Sequence, residues 1–332
     1  MTVAEDVYAS GRGLQLTVRI FGWFMLVAVP LYFFNNFLTF VLGWPGVGVI
    51  FKSDVGSANS WIQLFLYIAG LVFAIVYVMR TSERHLRDEA KAITRFNTFL
   101  VRAAFWAVLF VGLADMAISF LRVEGILSSV VGDQLASDLG RPQFRGTMVH
   151  IPLMVVSILL ALRTKTLGFQ WLALLVVFAE LTIVITRFIF SYEQSFMGDL
   201  VRFWYAALFL FASAFTLVEE GHVRVDVFYA GFKTKTKGFI NAIGTLFLGI
   251  TLCWTILLVG MGNKAAIIYS PLSNFEVTQS GFGLYVKYLM AGFLAVFAVT
   301  MLIQFVSYLM EAVADYKEQP GHEDHEPPVT AG

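Results

Sequence analysis

The chain has 332 residues, 58% of them hydrophobic and 14% charged, with a formal net charge of zero. Soluble domains carry about 25% charged residues, so this composition excludes an ordinary soluble fold and indicates an integral membrane protein. The balanced charge leaves no basic surplus to neutralise phosphates, which excludes a nucleic-acid partner, and a lone cysteine, Cys253, excludes an intrachain disulfide.

The polar start, MTVAEDVYASGRG, leads into an apolar run over about 19–42. That run is too long for a signal-peptide core, and no small-residue cleavage site follows it, so it reads as a retained first span. A span needs about 20 mostly apolar residues. Seven further runs qualify: 61–79, 99–121, 148–162, 169–190, 203–218, 239–260 and 284–310. The expected fold is all-α, a polytopic membrane protein of about eight transmembrane helices with amphipathic interfacial segments.

Basic residues set the expected orientation. The second loop holds Arg80, Arg84, Arg87, Lys91 and Arg95, the fourth Arg163 and Lys165, and the sixth Arg224, Lys233, Lys235 and Lys237. The odd-numbered loops are poorer, with Lys52, then Arg141 and Arg145, then Arg202, then Lys264. Even loops and both termini are expected in the cytoplasm. Within 80–98, Leu86, Ala90, Ile93 and Leu100 recur at helical spacing. That pattern fits an amphipathic helix on the membrane surface or a helical extension of a neighbouring span.

At a shift of 143 residues Trp61 falls on Trp204, and the basic loop at 80–95 falls on 223–238. Each half then reads as two spans, a charged segment, a third span, an outer loop and a fourth span. Residue identity across the shift is faint. The halves are therefore either two parallel repeats or two unrelated four-span segments.

Charge inside the spans is sparse. Asp115 and Glu180 are each followed seven residues later by an arginine, Arg122 and Arg187. Seven residues is nearly two turns, about 10 Å, so each acid shares a helix face with its arginine. A charge at mid-membrane costs about 3 kcal/mol on insertion scales and normally has a partner. Pairing within the chain and pairing with another subunit both fit. In the last span Ala291, Ala295 and Ala298 offer a small-residue packing seam. His85, His222, His322 and His325 lie outside the spans, and only His150 stands at the start of one. Facing haem ligands are not expected. The tail His322 and His325 lie among acids in a segment whose composition suits disorder. No Walker loop, nucleophile elbow or zinc motif occurs, so no enzyme activity is expected.

The joint after the sixth span reads EEGHVRVDVFY, residues 219–229. Val223, Val225 and Val227 alternate with His222, Arg224 and Asp226, which separates apolar and polar sides if the backbone is extended. On composition the joint is a solvated juxtamembrane loop or a docking element. GHVRVDVFY resembles a signature of the small permease subunit of tripartite ATP-independent periplasmic (TRAP) transporters, the DctQ-type family. Upstream, Arg187-Phe188, a short outer loop and Asp199 fit that family's pattern, although Phe196 and Asp199 stand where family members often have Trp and Glu. Downstream, Glu276, Ser280 and Lys287 match residues leading into the family's last span. The resemblance covers about 168–312.

It implies a sodium-driven system for a small organic solute, with a periplasmic solute-binding protein and a large permease subunit that the small subunit scaffolds. The expected division is an N-terminal membrane extension of about four helices (1–167), a small-permease-like four-helix domain (168–312) and a disordered cytoplasmic tail (313–332). The expected partner-facing residues are Arg187, Asp199, Glu219, Glu220, His222, Arg224, Asp226, Glu276 and Lys287. No cofactor is expected in this chain, since sodium coupling belongs to the large subunit, and the expected location is the bacterial inner membrane. The rival reading is a self-sufficient secondary transporter built from two four-helix halves.

Overall fold

The computed structural model describes residues 3–51, 57–165, 169–192, 194–218, 229, 231–277 and 283–321. It is all-helical, with no strand among the described residues, and eight helices are long and apolar enough to cross a membrane. In chain order these are α1 (Val3–Phe40), α2 (Ala58–Arg80) and α3 (Leu86–Val123). After two short helices, α4 (Leu127–Val131) and α5 (Asp133–Leu139), comes the fourth span, α6 (Pro142–Arg163). Then follow α7 (Phe169–Ile189), α8 (Met197–Val218), α9 (Thr234–Met261), the short α10 (Tyr269–Asn274) and α11 (Lys287–Tyr316).

The segment at 80–98 takes the second of its two expected forms. Its helix continues into the third span as α3. Leu86, Ala90 and Ile93 are buried, so that apolar stripe meets protein rather than lipid. The tail differs from expectation as well. α11 runs to Tyr316, past the boundary at 312, with Val313 and Ala314 buried. An ion pair from Arg87 to Asp315 and an Arg87 bond to the Gln319 carbonyl hold this end in place. His322 and His325 lie outside the described residues.

The chain packs as two compact units that interleave along the sequence, and neither follows the boundary at 167/168. The first comprises Met1–Thr94, Val223–Thr251 and Leu302–Gly332. Here α1 and α2 form an antiparallel hairpin. Gln63 donates to the Asn35 carbonyl and the Thr39 hydroxyl and accepts from Gly46 N. Gly70 lets Leu31 and Val27 approach its backbone. Arg19, fully buried, donates to both Glu89 oxygens, at 2.6 and 2.9 Å, and to Thr81. It thereby ties α1 to the start of α3.

The second unit comprises Arg95–His222 and Leu252–Met301. Its aromatic core joins Phe105 to Phe211, Phe211 to Phe293 and Phe203 to Phe293, with ring centroids 5.7, 5.0 and 5.1 Å apart. Edge-on and tilted contacts of this kind add to simple burial. Arg102 donates to the Ala161 and Thr164 carbonyls, and the Trp106 indole donates to the Thr164 hydroxyl. These bonds satisfy the C-terminal carbonyls of α6, which a helix end otherwise leaves unpaired. Ala295 and Ala298 of the small-residue stripe are buried, while Ala291 is half-buried.

Candidate partner interface

Asp115 lies on α3, fully buried. Its Oδ1 accepts from Arg145 Nη1 at 2.9 Å and lies 3.2 Å from His150 Nε2, and its Oδ2 accepts from the Tyr285 backbone N–H at 2.6 Å. Arg145 and His150 are also fully buried, both on α6. Arg145 donates to the Leu139 carbonyl and the Ser119 hydroxyl, and its guanidinium lies 4.0 Å over the Tyr285 ring. From the other side Arg122 donates to the Tyr285 hydroxyl, which itself donates to the Gly140 carbonyl. The His150 Nδ1 is 2.8 Å from the Tyr288 hydroxyl.

The backbone explains how these groups meet. Gly146–His150 is a π-helical turn directly ahead of Pro152, which has no N–H for the carbonyl at 148. Arg145 and His150, five positions apart, thereby converge on one carboxylate. Gly146 leaves room for the Phe275 ring, since a Cβ there would lie 2.3 Å from it. Phe275 adopts a left-handed φ of +49°, a costly conformation for a bulky residue, and its ring packs 5.2 Å from that of Tyr288. A buried arginine and carboxylate this thoroughly bonded form a structural tie. One Arg145 nitrogen, Nη2, has no hydrogen-bond partner among the described residues.

Arg145, His150, Tyr285 and Tyr288 were invisible as a site in the sequence. Arg145 counted as a loop charge and His150 as an isolated histidine. The only signal was Asp115 itself, a charge in a span that demanded a partner. Arg122, its neighbour by periodicity, engages Tyr285 instead.

The expected partner-facing residues fall into three groups. Glu219, Glu220, His222, Arg224 and Asp226 lie outside the described residues, as does Ser280. Asp199 accepts from the Leu284 N–H, and Lys287 pairs with Glu276, so these three brace the turn ahead of α11. Phe196, in the position where Trp is usual, is buried. Near the same end Tyr192 and Gln194 both donate to Glu124, and the Glu124 carboxylate raises the Tyr192 phenol above its ordinary pKa.

Arg187 makes up the third group; it and Glu180, the intramembrane acid whose pairing the sequence left open, are both exposed on α7. This helix is the least covered of the spans, with 11% of its apolar window buried against 56% for α11. Its outward residues include Val177, Leu181, Val184 and Phe188. Glu180 stands mid-helix and makes no hydrogen bond or ion pair with any described residue.

Residues 173–315 match the family model described as "Tripartite ATP-independent periplasmic transporters, DctQ component". No curated protein and no solved structure matches the chain.

Proposed function

We propose, from that match, that the chain is the small membrane subunit of a TRAP transporter and acts by holding the large permease subunit. The family match over residues 173–315 carries the reading. In it, the large subunit moves a small organic solute that a periplasmic binding protein delivers, and sodium drives and binds that subunit. The chain catalyses no reaction and needs no cofactor. The structure supports a holding role because its buried charges are used internally: Asp115 with Arg145, and Arg19 with Glu89.

The inner membrane is the site, with both termini cytoplasmic. Arg145 is buried against Asp115, so the loop between the third and fourth spans presents fewer free basic groups than its sequence count, which favours that orientation. The joint His222–Arg224–Asp226, with Glu219 and Glu220, docks the large subunit at the cytoplasmic surface. Asp199 and the Glu276–Lys287 pair brace the turn ahead of α11, which this orientation puts at the opposite membrane face.

The test is co-purification of the large subunit with the tagged full chain, followed by uptake in membranes containing both. Arg224→Ala should lower recovery of the partner and uptake together while the chain remains inserted. Unchanged recovery would remove the joint from the interface. Uptake by membranes holding this chain alone would instead establish the self-sufficient transporter.

A further inference from the structure

We infer that the Glu180 face of α7 docks one transmembrane helix of the large permease subunit, and that this helix carries a basic side chain level with Glu180. The inference rests on the small-subunit reading above and locates a contact within the membrane.

Three observations converge on α7. It is the least covered span. Its exposed positions one turn either side of Glu180, Val177 and Val184, are apolar, and so is Phe188 beyond them. In the middle of this apolar surface sits a carboxylate with no partner among the described residues. Asp115 shows how the same chain treats an acid that belongs to its interior, giving it an arginine, a histidine and a backbone N–H.

Lipid is a poor neighbour for such a group. A charge facing hydrocarbon at mid-span costs about 3 kcal/mol, and Glu180 is too far from either end of α7 to reach the interface easily. A second copy of this chain is also a poor neighbour. Copies inserted in one orientation hold Glu180 at the same depth, so a two-fold contact on this face sets carboxylate against carboxylate. A different helix bearing Lys or Arg at that depth neutralises the charge and covers the apolar flanks. Small residues are scarce on this face, so van der Waals packing of large side chains and the ion pair hold the contact.

The experiment uses the full chain, tagged and co-expressed with the large permease subunit. A benzophenone amino acid replaces Val177, Val184 or, as a control, Leu248, which is still more exposed, on α9. Irradiation should join the chain to the large subunit from Val177 and Val184 and not from Leu248. Glu180→Lys should lower both the adduct and co-purification by at least about tenfold, the equivalent of 1.4 kcal/mol. If E180K fails to insert, Glu180→Leu decides. Leucine favours insertion, so a purely structural role predicts unchanged or better recovery, whereas docking predicts loss of the partner.

A large subunit that co-purifies but crosslinks only from Leu248, or that E180L leaves undiminished, overturns the α7 contact and leaves the small-subunit reading standing. An adduct of two copies of this chain overturns the contact as well. Failure of the unaltered chain to recover any large subunit overturns both.

Discussion

At the scale of single residues, the structure turns on what a buried charge requires. Asp115 is met by three groups from two segments, Arg145 and His150 on α6 and the Tyr285 N–H ahead of α11, and Arg145 has no other carboxylate among the described residues. Asp115→Asn keeps the shape but leaves the Arg145 charge uncompensated in a fully buried site. Breaking such a pair from one side costs about 3–5 kcal/mol, so the purified variant should melt at a clearly lower temperature in detergent than the parent. His150→Gln, which leaves the ion pair intact, should cost less, near the 1–3 kcal/mol of a lost buried hydrogen bond. Equal losses from the two would show that the cluster is not organised around its ion pair. Sequence made Asp115 legible as a group in need of a partner and could go no further. Its partners lie 30, 35 and 170 residues away, distances that helical periodicity does not reach. Arg122, which periodicity does offer, is taken by Tyr285.

At the scale of helices, hydrophobic runs showed the eight spans, because a bilayer demands continuous apolar length. They did not show how closely two helices cross. Gly238 ends the basic run KTKTKG and reads as a loop glycine, yet it lies inside α9 where that helix meets α11. A Cβ there would lie 2.5 Å from the Ala312 carbonyl oxygen and 2.5 Å from Tyr316 N. Those are backbone atoms and cannot turn aside. Gly238→Ala should therefore separate the helices and lower thermal stability, whereas Gly244→Ala, with nothing within 4 Å of its Cβ, should be neutral or stabilising by up to about 1 kcal/mol. Parallel melting curves of the two variants check this, and equal curves would remove the close crossing. The 80–98 segment teaches a related lesson. Its apolar stripe suits a lipid surface and a protein surface equally, and only the tie between Arg19 and Glu89 reveals which neighbour it has.

At the scale of the whole molecule, the sequence divides after residue 167 while the packing does not. The family domain begins at 173, but the second compact unit joins residues 95–222 to 252–301. Within that unit the N-terminal region supplies Asp115, Arg145 and His150, and the family domain supplies Tyr285 and Tyr288. The turn ahead of α11, which the family-matched segment braces through Asp199 and Leu284, therefore also depends on the carboxylate of α3. A chain beginning at 168 would leave the Tyr285 N–H and the Tyr288 hydroxyl without these partners and would uncover the Phe105-facing side of Phe211. Each lost buried bond costs about 1–3 kcal/mol, and a domain has only about 5–15 kcal/mol of net stability to lose. Residues 168–332 expressed alone should therefore be degraded or aggregate in detergent. Supplying residues 1–167 as a separate polypeptide in the same membrane should restore a monodisperse, protease-resistant particle containing both pieces. A stable, monodisperse 168–332 fragment would mean that the N-terminal helices are an attachment to an independent domain, and that Asp115 serves only the segment that carries it.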